Sequence, residues 1–268
     1  MIIGNREFEV ENKTYIMGIL NVTPDSFSDG GKWNEEDLAL HHVEEMINAG
    51  ADIIDVGGES TRPGYIQIDE MAECARVIPI IEKIRKNFDV PISIDTYKSS
   101  VALAALQAGA DLVNDIWGFK YDKNIAEVTA RYDAACCLMH NRERAVYSDF
   151  MAEVLSDLQE SVDIAQKAGV SRDKIVIDPG VGFAKSYEQN LEVINKLEQF
   201  GEVEVPVLLG TSRKSVIGLA LDLPADERLE GTMATTVMAV MKGCSFVRVH
   251  DVKANKRAIQ MTEAVLYG

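Results

Sequence analysis

Polar and ionisable side chains follow the short apolar runs of this sequence at nearly regular intervals. The residues at the ends of these runs are Asn21, Asp55, Asp95, Asn114, Asp115, His140, Asp178, Thr211, Arg248 and His250. Chain segments that leave a strand are often polar, which accounts for one or two of these positions. It accounts less well for a set so rich in Asp, Asn, His and Arg, so the pattern favours a binding or catalytic site.

The spacing of these residues along their runs indicates where their side chains point. Arg248 and His250 are two residues apart and therefore leave the same face of an extended strand. Asp95 follows Ser93, and Asp178 follows Val176, in the same inward register. Carboxylates and cations from distant parts of the chain are thus predicted to share one cavity.

Three segments rich in glycine and small residues follow apolar runs: NVTPDSFSDGG (21–31), GGESTRPG (57–64) and GTSRKSVIG (210–218). Loops of the first two types can close over a ligand while their backbone N–H groups bind anions. The third places Lys214 at a strand-to-helix turn, which suits an anion or a polar ring. A solvated basic turn that caps a helix remains an alternative for that segment.

Four cations, Arg62, Lys214, Arg248 and His250, are predicted to meet at one mouth of a protein whose net charge is −16. Such a cluster could steer an anionic substrate to the site despite the overall charge.

The elements that must position these residues recur along the chain. NAGADIIDVGG (48–58) and QAGADLVNDIWG (107–118) each join a helix end, a glycine, a short β-branched run and a polar cluster. Eight such strands are predicted: Tyr15–Leu20, Ile53–Val56, Ile92–Ile94, Leu112–Val113, Ala135–Met139, Ile175–Ile177, Val207–Leu209 and Phe246–Val249. Eight β/α repeats without antiparallel pairs predict an α/β fold, a (β/α)8 TIM barrel forming a single domain over residues 1–268. Residues 1–14 are expected to form a short hairpin near the barrel bottom.

Composition excludes several classes of function. The acidic balance argues against nucleic-acid binding. No apolar run reaches about 18 residues, and the first residues lack a basic stretch before an apolar one, so neither a membrane span nor a signal peptide is expected. A cytoplasmic protein is the expectation. Cys74, Cys136, Cys137 and Cys244 form no C-x-x-C pair and are expected to be reduced and mostly buried.

Seven motifs occur in the order NVTPDSFSDGG, DVGGESTRPG, ISIDT, VNDI, IDPGVGF, GTSRKS and RVHDV. Together they span about Ile16 to Val252 and resemble the dihydropteroate synthase family of pterin-binding enzymes, the sulfonamide target of folate synthesis. The resemblance implies a transferase that condenses 4-aminobenzoate with (7,8-dihydropterin-6-yl)methyl diphosphate, giving 7,8-dihydropteroate and diphosphate. It also implies Mg2+ as cofactor and a homodimer built through outer helices of the second half.

The resemblance further implies a role for each matching residue. The pterin would be bound by Asp95, Asn114, Asp178 and Lys214. Met139, at the end of the fifth strand, would also contact it. The diphosphate would be held by Asn21, Arg62, Arg248 and His250, with the Asn21 side-chain oxygen as a metal ligand. The 4-aminobenzoate pocket would comprise Phe27, Asp29, Thr61, Pro63, Phe183, Lys214 and Ser215.

The implied mechanism is a dissociative, SN1-like substitution. Diphosphate leaves first, and Asp95 stabilises the pterin methyl cation before the arylamine attacks. The catalytic residues would be Asp95, Lys214, Arg248 and His250. Asp55 and Asp115 are expected to be structural.

Three other readings compete with this one. A pterin-binding methyltransferase domain that serves a corrinoid partner would keep the pterin contacts but would not need STRPG, GTSRKS and RVHDV. A non-catalytic pterin or folate carrier could use the same barrel, and an assay of diphosphate release would separate it from an enzyme. A sugar-phosphate barrel enzyme fits the architecture but does not explain Asp95, Asn114, Asp178 and Lys214 occurring together.

Overall fold

The chain begins with a small antiparallel hairpin, as predicted. The computed structural model describes residues 1–22, 35–59 and 67–268. Strands β1 (Ile2–Ile3) and β2 (Arg6–Glu7) pair with each other and with no other strand among the described residues.

Eight parallel strands form the barrel, and all eight are those predicted from the apolar runs. They are β3 (Tyr15–Asn21), β4 (Ile53–Gly57), β5 (Ile92–Asp95), β6 (Leu112–Asp115), β7 (Ala135–Met139), β8 (Ile175–Asp178), β9 (Leu208–Leu209) and β10 (Phe246–Val249). Their order is β8-β7-β6-β5-β4-β3-β10-β9. A parallel bridge between Ile177 and Val207 joins β8 to β9 and completes the ring.

Helices follow the strands on the outside of the ring. Those described are α1 (Glu35–Asn48), α2 (Glu70–Asn87), α3 (Ser99–Ala108), α4 (Ile125–Arg131), α5 (Phe150–Ala168), α6 (Tyr187–Asn195), α7 (Ser215–Leu221), α8 (Leu229–Met241) and α9 (Val252–Tyr267). A capping box of Ser186 and Gln189 starts α6. Within the described chain, no helix is both long enough and apolar enough to cross a bilayer.

The interior of the barrel changes from apolar to polar along the strands. Its lower layer is apolar and consists of Met17, Ile53, Leu112, Cys137, Val176, Leu208 and Phe246, with Ile3 and Phe8 of the hairpin region beneath it. Since side chains of a strand alternate between two faces, the residue two positions later points inward as well. In β4, β6, β8 and β10 that next residue is polar: Asp55, Asn114, Asp178 and Arg248.

The four cysteines fit the reduced state expected for them. All are unpaired; Cys136, Cys137 and Cys244 are buried, and Cys74 is half-buried. Burial raises the pKa of the Cys244 thiol to about 12, so this group stays protonated at neutral pH and acts as a small apolar side chain.

The hairpin closes the bottom of the barrel through Phe8, and its removal tests that role. The Phe8 ring is 1% exposed and lies 4.9 Å from the Tyr15 ring and 5.7 Å from the Phe246 ring. Phe8→Ala should lower the free energy of unfolding by about 3 kcal/mol, because it leaves a cavity in a packed aromatic cluster. Urea unfolding measures the loss, and Ile2→Ala, at a side chain that is 51% exposed, is the control. A loss no larger than in the control would contradict the plug role.

Candidate active site

The Arg248 guanidinium lies at the centre of the polar upper layer. Its Nε donates to Asp55 Oδ2 and its Nη2 donates to Asp95 Oδ2, both at 2.6 Å. Asp55 is fully buried and also accepts a hydrogen bond of 2.5 Å from Ser93 Oγ. One cation from the last strand therefore binds carboxylates from the second and third barrel strands, and the expected structural role of Asp55 is to hold Arg248.

Asp95 has a second oxygen with a different environment. Its Oδ1 is buried and has no hydrogen-bond partner among the described residues. Burial raises the pKa of Asp95 above the usual aspartate range, while the positive charge of Arg248 opposes this effect. An acceptor atom with no partner among the described residues can accept a hydrogen bond from a ligand that reaches it, and the negative charge of the carboxylate can stabilise a nearby cation.

Asn114 and Asn21 lie on either side of this pair of carboxylates. The Asn114 amide Nδ2 is 3.3 Å from Asp55 Oδ2. A Cβ placed on Gly57 would be 3.6 Å from Asp95 Oδ2 and 3.8 Å from Asn21 Oδ1, so both of these side chains lie against the same backbone.

Asp178 and Lys214 meet on the other side of Arg248. A Cβ on Gly210 would be 3.4 Å from Asp178 Oδ2, 3.8 Å from Lys214 Nζ and 3.9 Å from Arg248 Cβ. Asp178 Oδ1 accepts a hydrogen bond of 2.7 Å from the Gly180 backbone N–H. Burial raises the pKa of Asp178, and nearby Lys214 opposes the rise. Asp95, Asp178, Lys214 and Arg248, four of the acids and cations predicted to share one cavity, thus lie at the same rim.

Lys214 is also linked to an aromatic wall. Its Nζ donates to Val181 O at 2.6 Å and lies 4.9 Å from the centre of the Phe183 ring. Phe183 belongs to an apolar cluster with Tyr97, Ile116, Trp117 and Met139. Burial lowers the pKa of Lys214 to about 8, with Asp178 opposing. A flat ring could therefore meet charged groups at its edge and apolar side chains at its face.

His250 is held by a residue that the sequence did not single out. Ser212 Oγ is 2.9 Å from His250 Nδ1 and accepts a hydrogen bond of 3.1 Å from the His250 backbone N–H. Ser212 lies inside the GTSRKS motif, and its place in this motif could have identified it as a site residue. Ser215 is the exposed first residue of α7.

Five of the predicted site residues lie outside the described part of the chain: Phe27, Asp29, Thr61, Arg62 and Pro63. Asp115 has a local role, as expected, because it accepts hydrogen bonds from the backbone N–H groups of Trp117 and Phe119, both at 2.8 Å.

A metal ion in this site would need ligands beyond those that the described residues provide. Within residues 1–22, 35–59 and 67–268, no group of three or more His, Cys, Asp or Glu could hold a metal. The Asn21 amide oxygen is a single neutral ligand of the type that Mg2+ accepts together with substrate phosphates and water. The donor set fits a magnesium ion that arrives with a phosphorylated substrate.

Comparisons with known proteins agree with this geometry. The family model described as "Pterin binding enzyme" matches residues 17–250. The dihydropteroate synthase of Clostridium beijerinckii is 60% identical over 267 residues, 99% of each chain. The structure of the dihydropteroate synthase of Clostridium difficile, solved in the presence of pteroic acid, superposes with a TM-score of 0.95 at 51% identity, covering 98% of this chain and 100% of that one. The Xanthomonas albilineans dihydropteroate synthase with 4-aminobenzoic acid has a TM-score of 0.91 at 38% identity, covering 96% and 94%.

The chain therefore belongs to the family of pterin-binding enzymes and, within that family, to the dihydropteroate synthases, which are transferases.

The charge balance at Arg248 gives a prediction for stability. Arg248→Met should lower the free energy of unfolding by about 3 kcal/mol at neutral pH, because it leaves two buried carboxylates without their cation. The pKa of folded Asp95, already raised by burial, would then rise further. The folded variant would bind protons more tightly than the unfolded chain, so its stability would fall as pH rises.

Urea unfolding at about pH 5.5 and about pH 8 should therefore give the larger deficit at the higher pH. Lys196→Met, which breaks a half-exposed helix pair with Glu192, is the control and should cost under about 0.5 kcal/mol at both values. An equal deficit at the two pH values would contradict the proposed charge balance.

Proposed function

We propose that this dihydropteroate synthase joins 4-aminobenzoate to (7,8-dihydropterin-6-yl)methyl diphosphate by dissociative substitution at the polar rim. The observation that carries the proposal is the Arg248 guanidinium bound to Asp55 and Asp95, with Asp178 and Lys214 beside it. A cation that could bind the departing diphosphate therefore lies next to carboxylates that could bind a pterin.

Asp178 and Lys214 would bracket the pterin ring. The 2-amino and N3–H groups of a pterin are paired donors that suit a carboxylate such as Asp178. Lys214 would donate to acceptors on the opposite edge. Asn114 would bind a further edge, and Met139, in the apolar cluster with Phe183, would contact the face of the ring.

The diphosphate would be bound by the cations of the same rim. Among the described residues, the two carboxylates occupy Nε and one hydrogen of Nη2 of Arg248, so Nη1 is available to a phosphate oxygen. His250, Asn21 and Arg62 would complete the site. A bound Mg2+, with Asn21 Oδ1 as its protein ligand, would supply positive charge against the phosphate oxygens.

The reaction would break the methylene C–O bond before the new C–N bond forms. The electron pair of that bond leaves with diphosphate, whose growing charge Arg248 and His250 stabilise in place. Asp95 stabilises the resulting pterin methyl cation through its free Oδ1. The neutral amine of 4-aminobenzoate then attacks the methylene carbon and releases a proton.

The 4-aminobenzoate would lie outside the pterin, against the Phe183 ring, Lys214 and Ser215. Phe27, Asp29, Thr61 and Pro63 are proposed for the same pocket because they belong to the matching motifs. The similarity of the fold to a synthase solved with 4-aminobenzoic acid supports this assignment.

The proposal extends to the organisation of the protein. Residues 1–268 would form one pterin-binding domain. Two copies would associate through outer helices of the second half, which is supported by exposed apolar side chains at Leu219, Met241, Met261, Val265 and Leu266. Four unpaired cysteines fit a reducing, cytoplasmic setting.

Replacing Asp95 tests the mechanism most directly. Asp95→Asn should reduce turnover by roughly 100-fold while pterin binding stays detectable, because the neutral amide keeps the shape but cannot stabilise a cation. Turnover is measured as diphosphate release with both substrates present, and Asp163→Asn, at an exposed position of α5, is the control. Near wild-type turnover would contradict the role of Asp95, and no release from the folded wild-type protein would favour a carrier.

The pH profile of kcat/KM gives an independent check. Asp95 must be ionised, and since burial raises its pKa, activity should fall on the acid side at a pH above the usual aspartate range. Lys214, with its pKa lowered to about 8, should lose its proton above that pH, which should weaken the binding of the pterin and of 4-aminobenzoate. The profile should be bell-shaped, and Asp95→Asn should change the acid limb, to which Asp178 still contributes, and leave the alkaline limb in place. A flat profile between about pH 6 and 9 would contradict these assignments.

A further inference from the structure

The turn after β8 has an unusual backbone. Gly180, Gly182 and Ala184 all have positive φ angles, of 71°, 88° and 44°. An alanine pays a steric penalty for this conformation, which persists only where the surrounding structure enforces it. A Cβ on Gly180 would lie only 2.0 Å from the His140 carbonyl oxygen, so the turn also packs closely on the end of β7.

The Lys185 ammonium group forms hydrogen bonds with this turn. Its Nζ lies 3.0 Å from Gly180 O, 3.1 Å from Phe183 O and 2.8 Å from His140 Nδ1. An ammonium group has three N–H donors, and three acceptors are in reach. The side chain thus joins both ends of the four-residue segment 180–183 to the end of a neighbouring strand.

His140 carries the link onward to an outer helix. Because Nδ1 accepts from Lys185, the ring proton is on Nε2, which lies 3.1 Å from Asp157 Oδ2 of α5. Burial lowers the pKa of His140 to about 4, so the ring is neutral at pH 7. Burial acts to raise the pKa of Asp157, but hydrogen bonds from His140 and Arg142 lower it below the usual range, so this group is a carboxylate. The result is a chain of hydrogen bonds in which Lys185 donates to His140 and His140 donates to Asp157.

We infer that Lys185, oriented by His140 and Asp157, is a positioning residue for pterin recognition. The turn that it holds begins beside Asp178, whose Oδ1 accepts the Gly180 N–H, and contains Val181, whose carbonyl accepts from Lys214. It also carries the Phe183 ring. Asp178 and Lys214, proposed to bind the pterin, and the Phe183 ring beside them therefore depend on one segment, and Lys185 fixes its geometry. This inference rests on the proposed pterin site.

The electrostatics of Lys185 agree with a functional rather than a stabilising role. Burial lowers the pKa of Lys185 to about 7, with Asp178 opposing. The unfolded chain keeps an ordinary lysine pKa and binds the proton more tightly, so at neutral pH this residue lowers the stability of the fold. That penalty is released as pH rises from about 7 towards the ordinary lysine pKa. In return, the charge of Lys185 lowers the pKa of Asp178 and favours its ionised form.

Lys185→Met tests the inference, because methionine has similar length and neither donor nor charge. The variant should raise KM for the pterin diphosphate roughly tenfold, the effect of losing charge-assisted hydrogen bonds. KM for 4-aminobenzoate should rise less, because its proposed pocket shares only Phe183 and Lys214 with this turn. The thermal midpoint should change little, because removing the desolvation penalty of a buried cation offsets the cost of leaving its acceptors unpaired. Lys174→Met is the matched control, since Lys174 donates to a carbonyl, Asp133 O at 2.6 Å, at the opposite end of β8.

Asp178→Asn, measured in parallel, separates the two levels of the account. If Asp178→Asn raises KM for the pterin diphosphate and Lys185→Met does not, the positioning role is overturned and the proposed function stands. If neither variant changes it, the proposed pterin site itself fails. If Lys185→Met lowers the thermal midpoint and raises both KM values alike, Lys185 is only structural.

Asp157→Asn covers the case in which Lys185→Met does not fold. It removes the charge that orients His140 and should raise KM for the pterin diphosphate several-fold, with a smaller rise in KM for 4-aminobenzoate. Unchanged KM values for both substrates would overturn the positioning role of Asp157, His140 and Lys185.

Discussion

One cation between two buried carboxylates is the constraint on which the site depends. Arg248 binds Asp55 and Asp95 at 2.6 Å each, in an interior where an unpaired charge would be costly. Arg248 counters the effect of burial on the pKa of Asp95, and in the proposed mechanism this pairing would keep a negative charge available for a pterin methyl cation. In the proposed mechanism, the same guanidinium would also supply positive charge to the departing diphosphate.

The barrel makes this arrangement possible by dividing its interior into two layers. Phe8 and the lower side chains of the strands form an apolar layer, and the next inward residue of several strands is polar. The charged groups are therefore supported from below by packed side chains and project from strands rather than from loops. Rigid support of this kind is what preorganised electrostatic stabilisation requires.

Much of the fold and part of the site followed from the sequence. The eight strands were predictable because each is a short apolar run, and the inward direction of Asp95 and Asp178 followed from alternation along a strand. The pairing of Arg248 with Asp55, 193 residues apart, was not predictable, since it depends on how the ring closes. The links of Ser212 to His250 and of Lys185 to His140 depend on turn geometry that spacing along the chain does not determine.

A crystal structure with a bound dihydropterin tests the central claim most directly. The account predicts the ring inside the upper mouth of the barrel, with its amino edge on the Asp178 carboxylate and Lys214 on the opposite edge. Asp95 Oδ1 should face the methylene-bearing side, and Arg248 should remain between Asp55 and Asp95. A pterin bound away from this rim, or one whose amino edge does not meet Asp178, would contradict it.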